Sequence, residues 1–426
     1  METLNNIKNH IILNKLQIYL VLYLFIFLYA PPVLVDFNII FILFIFSEIK
    51  LCKKYRDELN LFLKNITIKR FLVGILIYTF YFIFIILYNY FFVEKVELIS
   101  YLTILYSYLL FFPVTLTCST YVICFCIKNN LCLNDLIKCF IIACLIQSGI
   151  AILSLIFRDF KEILLITMYN HTGNDLLLGD WLNHRRFFGF SRNLLDSFGL
   201  GTGLICGLCI LQIKKSRYYI FFVPFIFLLT FLNAKTGIVI IGISIILFLF
   251  NKKNRQVLFS LFLRYKYHML ICVVILFVCI YFFSPNTFNW ILNDFLSFIP
   301  GMENDGIANL LFSDNFWILP DKILNILFGT GHNIYNVQGF PHSDVGYINE
   351  IWKTGLVGFI ILYGNSIYLF NNLTNSKIYD ERYIGYFFLI SIFLFMIKGQ
   401  VIGYNPATPL IFTVGLYAVY KKDVII

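Results

Sequence analysis

The chain has 426 residues, of which 60% are hydrophobic and only 13% charged, with a mean hydropathy of +0.82. A soluble domain carries about 25% charged residues, so this composition excludes an ordinary water-soluble fold and points to lipid as the solvent. The net charge of +10 does not point to nucleic acid: the basic residues form short clusters between apolar runs, the pattern of inward-facing membrane loops rather than of a binding stripe.

Crossing the hydrocarbon takes about 20 apolar residues in a helix. In chain order such runs lie near 14–32, 33–49, 71–93, 99–127, 139–157, 193–213, 218–233, 236–250, 269–284, 350–370, 384–402 and 408–420. The expected fold is therefore an all-α polytopic membrane protein of about a dozen transmembrane helices. The first run, Leu16 to Ala30, follows Lys8 and Lys15 and is closed by no small-residue cleavage site, so it reads as a span rather than a cleaved leader. The first pair of spans turns at Pro31-Pro32, and the seventh and eighth are separated only by Asn233-Ala234-Lys235-Thr236-Gly237.

With the N-terminus inside, the inner segments are 1–13, 50–70, 128–138, 214–217, 251–268, 371–383 and 421–426, and these hold most of the 33 lysines and arginines. The positive-inside rule then places both termini in the cytoplasm. The expected organisation is 1–157, the first transmembrane helices; 158–192, a basic outer loop; 193–284, further transmembrane helices; 285–349, an acidic outer loop; and 350–426, the last transmembrane helices. Long insertions of this kind in a compact membrane protein are expected to carry function. The eleven cysteines avoid both outer loops, which argues against a disulfide framework, and Cys206 and Cys209 form a lone CxxC that reads as buried packing rather than a metal site.

The first outer loop ends His184-Arg185-Arg186-Phe187-Phe188-Gly189-Phe190-Ser191-Arg192-Asn193, directly before an apolar run. Guanidinium forks match phosphate oxygens and keep their charge, and the free N–H groups at a helix start favour an anion. A phosphate or diphosphate site at the membrane surface is one reading; arginines snorkelling to lipid headgroups is the other. Lys235 either adds a further cation to such a pocket or reaches for the interface on its own. Gly199, Gly203 and Gly207 share one helix face, a small-residue pattern that reads as close helix packing.

The second outer loop sets one lysine, Lys322, against Asp294, Glu303, Asp305, Asp314, Asp321 and Asp344. Its apolar stretches, Asn289 to Ile299 and Ile307 to Leu327, read as short helices lying on the membrane. It closes with Leu327-Phe328-Gly329-Thr330-Gly331-His332-Asn333 and then Pro341-His342-Ser343-Asp344-Val345-Gly346-Tyr347. His342 and Asp344 either act as a base toward a sugar hydroxyl or, with Ser343, cap the following helix; His332 is a weaker candidate. Glu350 and Lys353 are spaced to pair on one helix face. Lys398 falls inside a span, where an unpaired charge costs about 2.5–3.5 kcal/mol or more.

Taken together, these segments resemble the Wzy-type polysaccharide repeat-unit polymerases of the O-antigen polymerase and ligase superfamily. Arg186, Gly189, Phe190 and Asn193 match an outer-loop R-x-x-G-F-x-x-N; Asn233-Ala234-Lys235-Thr236-Gly237 is similar to the S-R-T-G of that superfamily; and FGTG followed by HSDVGYINEIWKTGLVG looks like the end of its second loop. The chain departs from the pattern in having Lys235 where arginine is usual, Arg192 before Asn193 where many members have proline, and no arginine before Trp317.

The resemblance implies en bloc glycosyl transfer at the outer face of the cytoplasmic membrane of a bacterium. Its donor and acceptor would be undecaprenyl-diphosphate-linked glycans, with a chain-length regulator protein as partner and the lipid bilayer as setting. Arg185, Arg186, Arg192 and Lys235 would meet the charge developing on the departing diphosphate without a metal or other cofactor. Asp344 or His342 would serve as base, and His184, Asn193, His332 and Tyr347 would contact substrate. Aromatics such as Trp181, Phe187, Phe188 and Trp317 would stack on sugars. The alternatives are a ligase of the same superfamily, disfavoured by the D-x-G-Y form and the lack of H-N-x-x-L, a lipid-linked oligosaccharide flippase, disfavoured by the scarcity of charges in the spans, and a non-catalytic membrane scaffold.

Overall fold

The computed structural model of the chain describes residues 13–31, 39–92, 98–172, 189–191, 195–233, 235–283, 285–286, 288–289, 292, 317–331, 343, 345–376, 378–397, 399, 402 and 407–424. All regular structure among them is helical, and they cluster into two compact units.

Unit one comprises Met1–Leu43 and Asn129–Asn304. It holds α1 (Lys15–Tyr29), the start of α2 (Ile39–Lys53), α6 (Leu133–Ile156), α7 (Arg158–Thr172), α8 (Leu195–Leu211), α9 (Tyr219–Asn233), α10 (Lys235–Phe250) and α11 (Lys252–Phe283). Unit two comprises Phe44–Lys128 and Asp305–Ile426. It holds the rest of α2, α3 (Arg56–Lys64), α4 (Ile66–Phe92), α5 (Leu98–Lys128), α12 (Ile323–Phe328), α13 (Gly346–Thr374), α14 (Tyr379–Phe395) and α15 (Ala407–Val424).

Each apolar run expected to span overlaps a helix, although the run 384–402 leaves its helix at Phe395. Four stretches of the described residues are long and apolar enough to cross a membrane: Ile66–Phe92, Leu109–Lys128, Leu133–Ile156 and Gly346–Asn371. A fifth arises if Thr236–Phe250 and Lys252–Tyr265, bent by 111° at their junction, count as one. The 27 residues of α4, at about 1.5 Å each, outreach a hydrocarbon core about 30 Å thick. Its outward residues, among them Phe80, Phe84 and Phe91, are exposed, whereas Phe71, Tyr78 and Phe82 are buried. Apolar side chains thus face both ways, which suits a helix with protein on one side and lipid on the other.

Local signals fix the helix ends. Asn14 and Gln17 form a reciprocal capping box at the start of α1, with Gln17 N–H donating to Asn14 Oδ1 at 2.7 Å. The Gln17 amide then donates to Asp135 Oδ1 at 3.2 Å, which ties α1 to the first turn of α6. Cys209, one of the CxxC pair, donates its thiol to Tyr219 O at 3.4 Å in the packing of α8 on α9.

Three helices extend beyond the expected spans. The segment 158–192, read as loop, opens with the helix Arg158–Thr172. Residues 252–268, read as an inner connection, belong to the single helix Lys252–Phe283. The inner segment 50–70 contains the amphipathic α3. In α3 polar residues on one face hid a helix whose other face is apolar; in α7 and the start of α11 interspersed polar and charged residues lower the local hydropathy of a helix. The short helix expected over 307–327 is, in its described part, only Ile323–Phe328; residues 317–320 are not helical. Pro320 lacks the N–H a helix needs, and the Ile318 carbonyl is taken by the indole N–H of Trp352 at 2.8 Å.

Candidate functional site

The most elaborate polar arrangement among the described residues lies in unit two, at the start of α13. The run from Gly346 to Thr374 is interrupted at Gly355, whose φ of 67° and ψ of −177° take it out of the helix. The break leaves a first half-helix and strips the preceding carbonyls of their i+4 donors. Those carbonyls find partners in the segment after α12. Thr330 donates its backbone N–H to Trp352 O at 2.7 Å and its hydroxyl to the same oxygen at 2.8 Å. Gly331 N–H donates to Lys353 O at 3.0 Å. The hydroxyl of Tyr81, on α4, lies 3.0 Å from Thr354 O and 3.1 Å from Phe328 O.

This closure depends on two glycines whose backbones touch. Gly329 and Gly355 both have positive φ, 81° and 67°. A Cβ on Gly329 would lie 2.6 Å from Gly355 N, and one on Gly355 would lie 2.5 Å from Gly329 N and closer still to Leu327 O. Any side chain would meet backbone, which cannot swing away, at a φ that L residues rarely adopt.

Inside the half-helix sits an ion pair sealed from solvent. Glu350 is 0% exposed and Lys353 1%. Lys353 Nζ donates to Glu350 Oε2 at 2.5 Å. The other carboxylate oxygen accepts from the Tyr78 hydroxyl at 2.8 Å, with Thr354 Oγ1 at 3.1 Å. The i,i+3 pairing matches the sequence expectation; Tyr78, Tyr81, Thr330 and Thr354 were not singled out. They lie in apolar or turn-like sequence: the packing of α4 on α13 gives Tyr78 and Tyr81 their roles, and the return of 317–331 onto α13 gives Thr330 its own.

The N-terminal end of the half-helix is fixed as firmly. Asn349 Nδ2 donates to Ser343 O at 2.7 Å and to Val345 O at 3.1 Å, and Val345 N–H donates to Ser343 Oγ at 3.1 Å. Ser343 thus orders the turn before the helix, whose N-cap residue, Val345, has no side-chain cap bond. Tyr347 donates its hydroxyl to Phe393 O at 2.6 Å and its N–H to Met396 O at 3.1 Å, hooking the half-helix to the end of α14. Of the expected substrate contacts, Tyr347 therefore has its hydroxyl committed to the fold.

Unit one carries the other candidate segment. Gly189 has a φ of 61° and packs on the side chain of Gln147 of α6. On α8, a Cβ at Gly203 would lie 2.8 Å from Gly237 O, and one at Gly237 would collide with Gly199 O and with the Thr230 methyl. The small-residue face is therefore a packing seam, as expected, and its partner is the glycine of the N-A-K-T-G turn. The seam brings the start of α10, headed by Lys235, alongside the first turns of α8. Thr230 donates to Thr202 Oγ1 at 3.1 Å beneath it.

Among the remaining predicted residues, Arg185, Arg186, Arg192, His184, Asn193, His332, His342 and Asp344 lie outside the described residues, as do Trp181, Phe187, Phe188, Lys398 and the side chain of Lys235. Trp317 is described and 43% exposed. No group of three or more metal-ligating side chains occurs among the described residues. Comparisons with protein-family models, curated proteins and solved structures found no match to this chain.

The sequence reading also missed a buried cation on α7. Lys161 is 6% exposed. Burial first, and Arg158 second, push its pKa down from 10.5 to about 7.

Proposed function

We propose that this chain polymerises polyprenyl-diphosphate-linked oligosaccharide repeat units at the outer face of a bacterial cytoplasmic membrane, by en bloc glycosyl transfer. About a dozen spans, with 158–192 and 285–349 outside, form the topology of this reading. The observation that carries it is how the second half of the resemblance is built. FGTG and the run from Val345 to Gly358 are separate segments of the motif, and they are joined by hydrogen bonds to the carbonyls of Trp352 and Lys353 and by the contact of Gly329 with Gly355. A motif whose glycines and polar residues serve one local geometry is more informative than short degenerate matches.

In this mechanism the negative charge develops on a lipid diphosphate as the glycosidic bond breaks. Arg185, Arg186, Arg192 and Lys235 stabilise it. The attacking sugar hydroxyl is a weak nucleophile, and Asp344 or His342 takes its proton. The buried Glu350–Lys353 pair fixes the half-helix that directly follows those two residues, so it acts in positioning. Apolar grooves hold the polyprenyl tails.

One observation favours a second reading. A buried ion pair beside a broken helix is a feature of transport pathways, so a lipid-linked oligosaccharide flippase stays in view, as does a ligase of the same superfamily. A gel of surface polysaccharide from a deletion strain separates the polymerase from the other two. Collapse of the ladder to core plus one repeat unit supports the polymerase. Loss of every band above core supports the ligase or the flippase, and an unchanged ladder removes all three.

A further inference from the structure

The junction of α10 and α11 in unit one forms a second site with its own chemistry. The chain turns by 111° between Phe250 and Lys252. Asn251 starts the new helix by accepting the Lys253 N–H on its side chain at 2.9 Å and the Arg255 N–H on its carbonyl at 3.0 Å. A groove of about 670 Å³ opens there, walled by Ile220, Leu249, Leu258 and Phe259 and edged by Lys252 and Arg255. The two cations are three residues apart and so share one helix face. Both are exposed, and no acidic residue lines the groove among the described residues. Tyr265, further along α11, packs edge-on against Phe221 of α9 with ring centroids 5.2 Å apart, which holds the groove's walls together.

An apolar cleft ending in two cations is complementary to one molecule a membrane supplies in abundance: a lipid with acyl chains at one end and a phosphate at the other. We propose that this groove binds an anionic glycerophospholipid, with acyl chain against Ile220, Leu249, Leu258 and Phe259 and headgroup phosphate between Lys252 and Arg255. The positive-inside reading of the sequence puts this end of α10 at the cytoplasmic leaflet, far along the chain from the outer loops, so the site is separate from the diphosphate chemistry proposed above. Basic pockets between helices on that side recognise anionic headgroups, and guanidinium forks suit phosphate. The bound lipid would brace the bend, since it contacts α9, α10 and α11 together.

The test is equilibrium binding of fluorescent phosphatidylglycerol, phosphatidylcholine and undecaprenyl phosphate to the purified full chain in detergent. Phosphatidylglycerol is expected to bind at least about 10-fold more tightly than phosphatidylcholine, and Lys252→Ala with Arg255→Ala to weaken it about 30-fold, on the scale of two surface cations. Both substitutions remove only exposed groups, so folding is not at risk. Lys253→Ala, which takes a neighbouring charge off the same turn without touching the groove, is expected to leave binding within about 2-fold. Leu258→Trp fills the groove and is expected to weaken both glycerophospholipids. Equal affinity for the two glycerophospholipids overturns the proposal. So does a loss with Lys253→Ala as large as that of the double variant, since the effect is then general surface charge. Tighter binding of undecaprenyl phosphate than of phosphatidylglycerol also overturns it, and gives the groove to the polyprenyl lipid.

Discussion

The two units solve the same problem by opposite means. Each brings backbone into direct contact with backbone among apolar helices, where an unmet polar group costs several kcal/mol in hydrocarbon. In unit two the break at Gly355 is closed by polar bonds: carbonyls of α13 accept from Thr330, Gly331 and Tyr81, and an ion pair is sealed beneath them. In unit one the start of α10 is held by closeness, with α8 and α10 touching through Gly199, Gly203 and Gly237. The first solution is strong but depends on every partner being present. The second depends on the absence of side chains.

The sharpest way to break this contrast is to remove one half of the ion pair. Glu350→Ala removes the buried carboxylate that accepts from Lys353, Tyr78 and Thr354 together, and is expected to destabilise the chain by about 3–5 kcal/mol. Glu350→Met with Lys353→Met should recover much of that loss, because a matched apolar pair leaves no orphan charge. Thermal unfolding in detergent, followed by Trp fluorescence, reads both variants. A single variant as stable as wild type would mean that water reaches the pair.

Next in size is Gly355→Ala, which adds a methyl against Leu327 O and Gly329 N at a positive φ. Strain and overpacking together predict a loss of about 2–4 kcal/mol, with faster proteolysis of the 317–331 segment. Gly237→Ala tests the other unit. The collision with Gly199 predicts a smaller loss, about 1–3 kcal/mol, because two straight helices can slide apart where a backbone knot cannot. Equal losses at the two glycines would erase the distinction between the units.

The smallest effect concerns pH. Lys161 keeps a pKa of about 7 in the folded chain against an ordinary 10.5. Between those values the unfolded chain holds more protons than the folded one, so this residue makes stability rise with pH across that window and lowers it as pH falls toward 7. Lys161→Met should flatten that slope, measured as the difference in unfolding midpoint between variant and parent at neutral and alkaline pH. An unchanged slope would show that Lys161 reaches solvent.

Much of this architecture was legible in the sequence, for a simple reason: apolar runs long enough to span must be helices, since no other local structure satisfies the backbone in lipid. The pairing of Glu350 with Lys353 was legible from spacing, and the packing role of Gly199 and Gly203 from their shared face. The break at Gly355 was not. Lys353-Thr354-Gly355-Leu356 reads as continuous helix until 329–331 returns to take its carbonyls, and that return is tertiary. Tyr78 and Tyr81 were hidden in a long apolar run, where nothing local marks which hydroxyl meets a carboxylate. Helices α7 and the start of α11 were missed because their interspersed polar and charged residues resemble a loop when mean hydropathy alone is read. His342 and Asp344, and the arginines before α8, stand on residue types and resemblance.

The central claim is that this chain joins lipid-linked repeat units, and reconstitution tests it most directly. Purified protein in nanodiscs, given polyprenyl-diphosphate-linked repeat units, is predicted to yield a ladder of longer glycans and to release polyprenyl diphosphate. Arg186→Ala and the double variant His342→Ala with Asp344→Asn are predicted to abolish both while unfolding at the wild-type temperature. No ladder from the wild-type protein, or an undiminished ladder from both variants, would contradict the account.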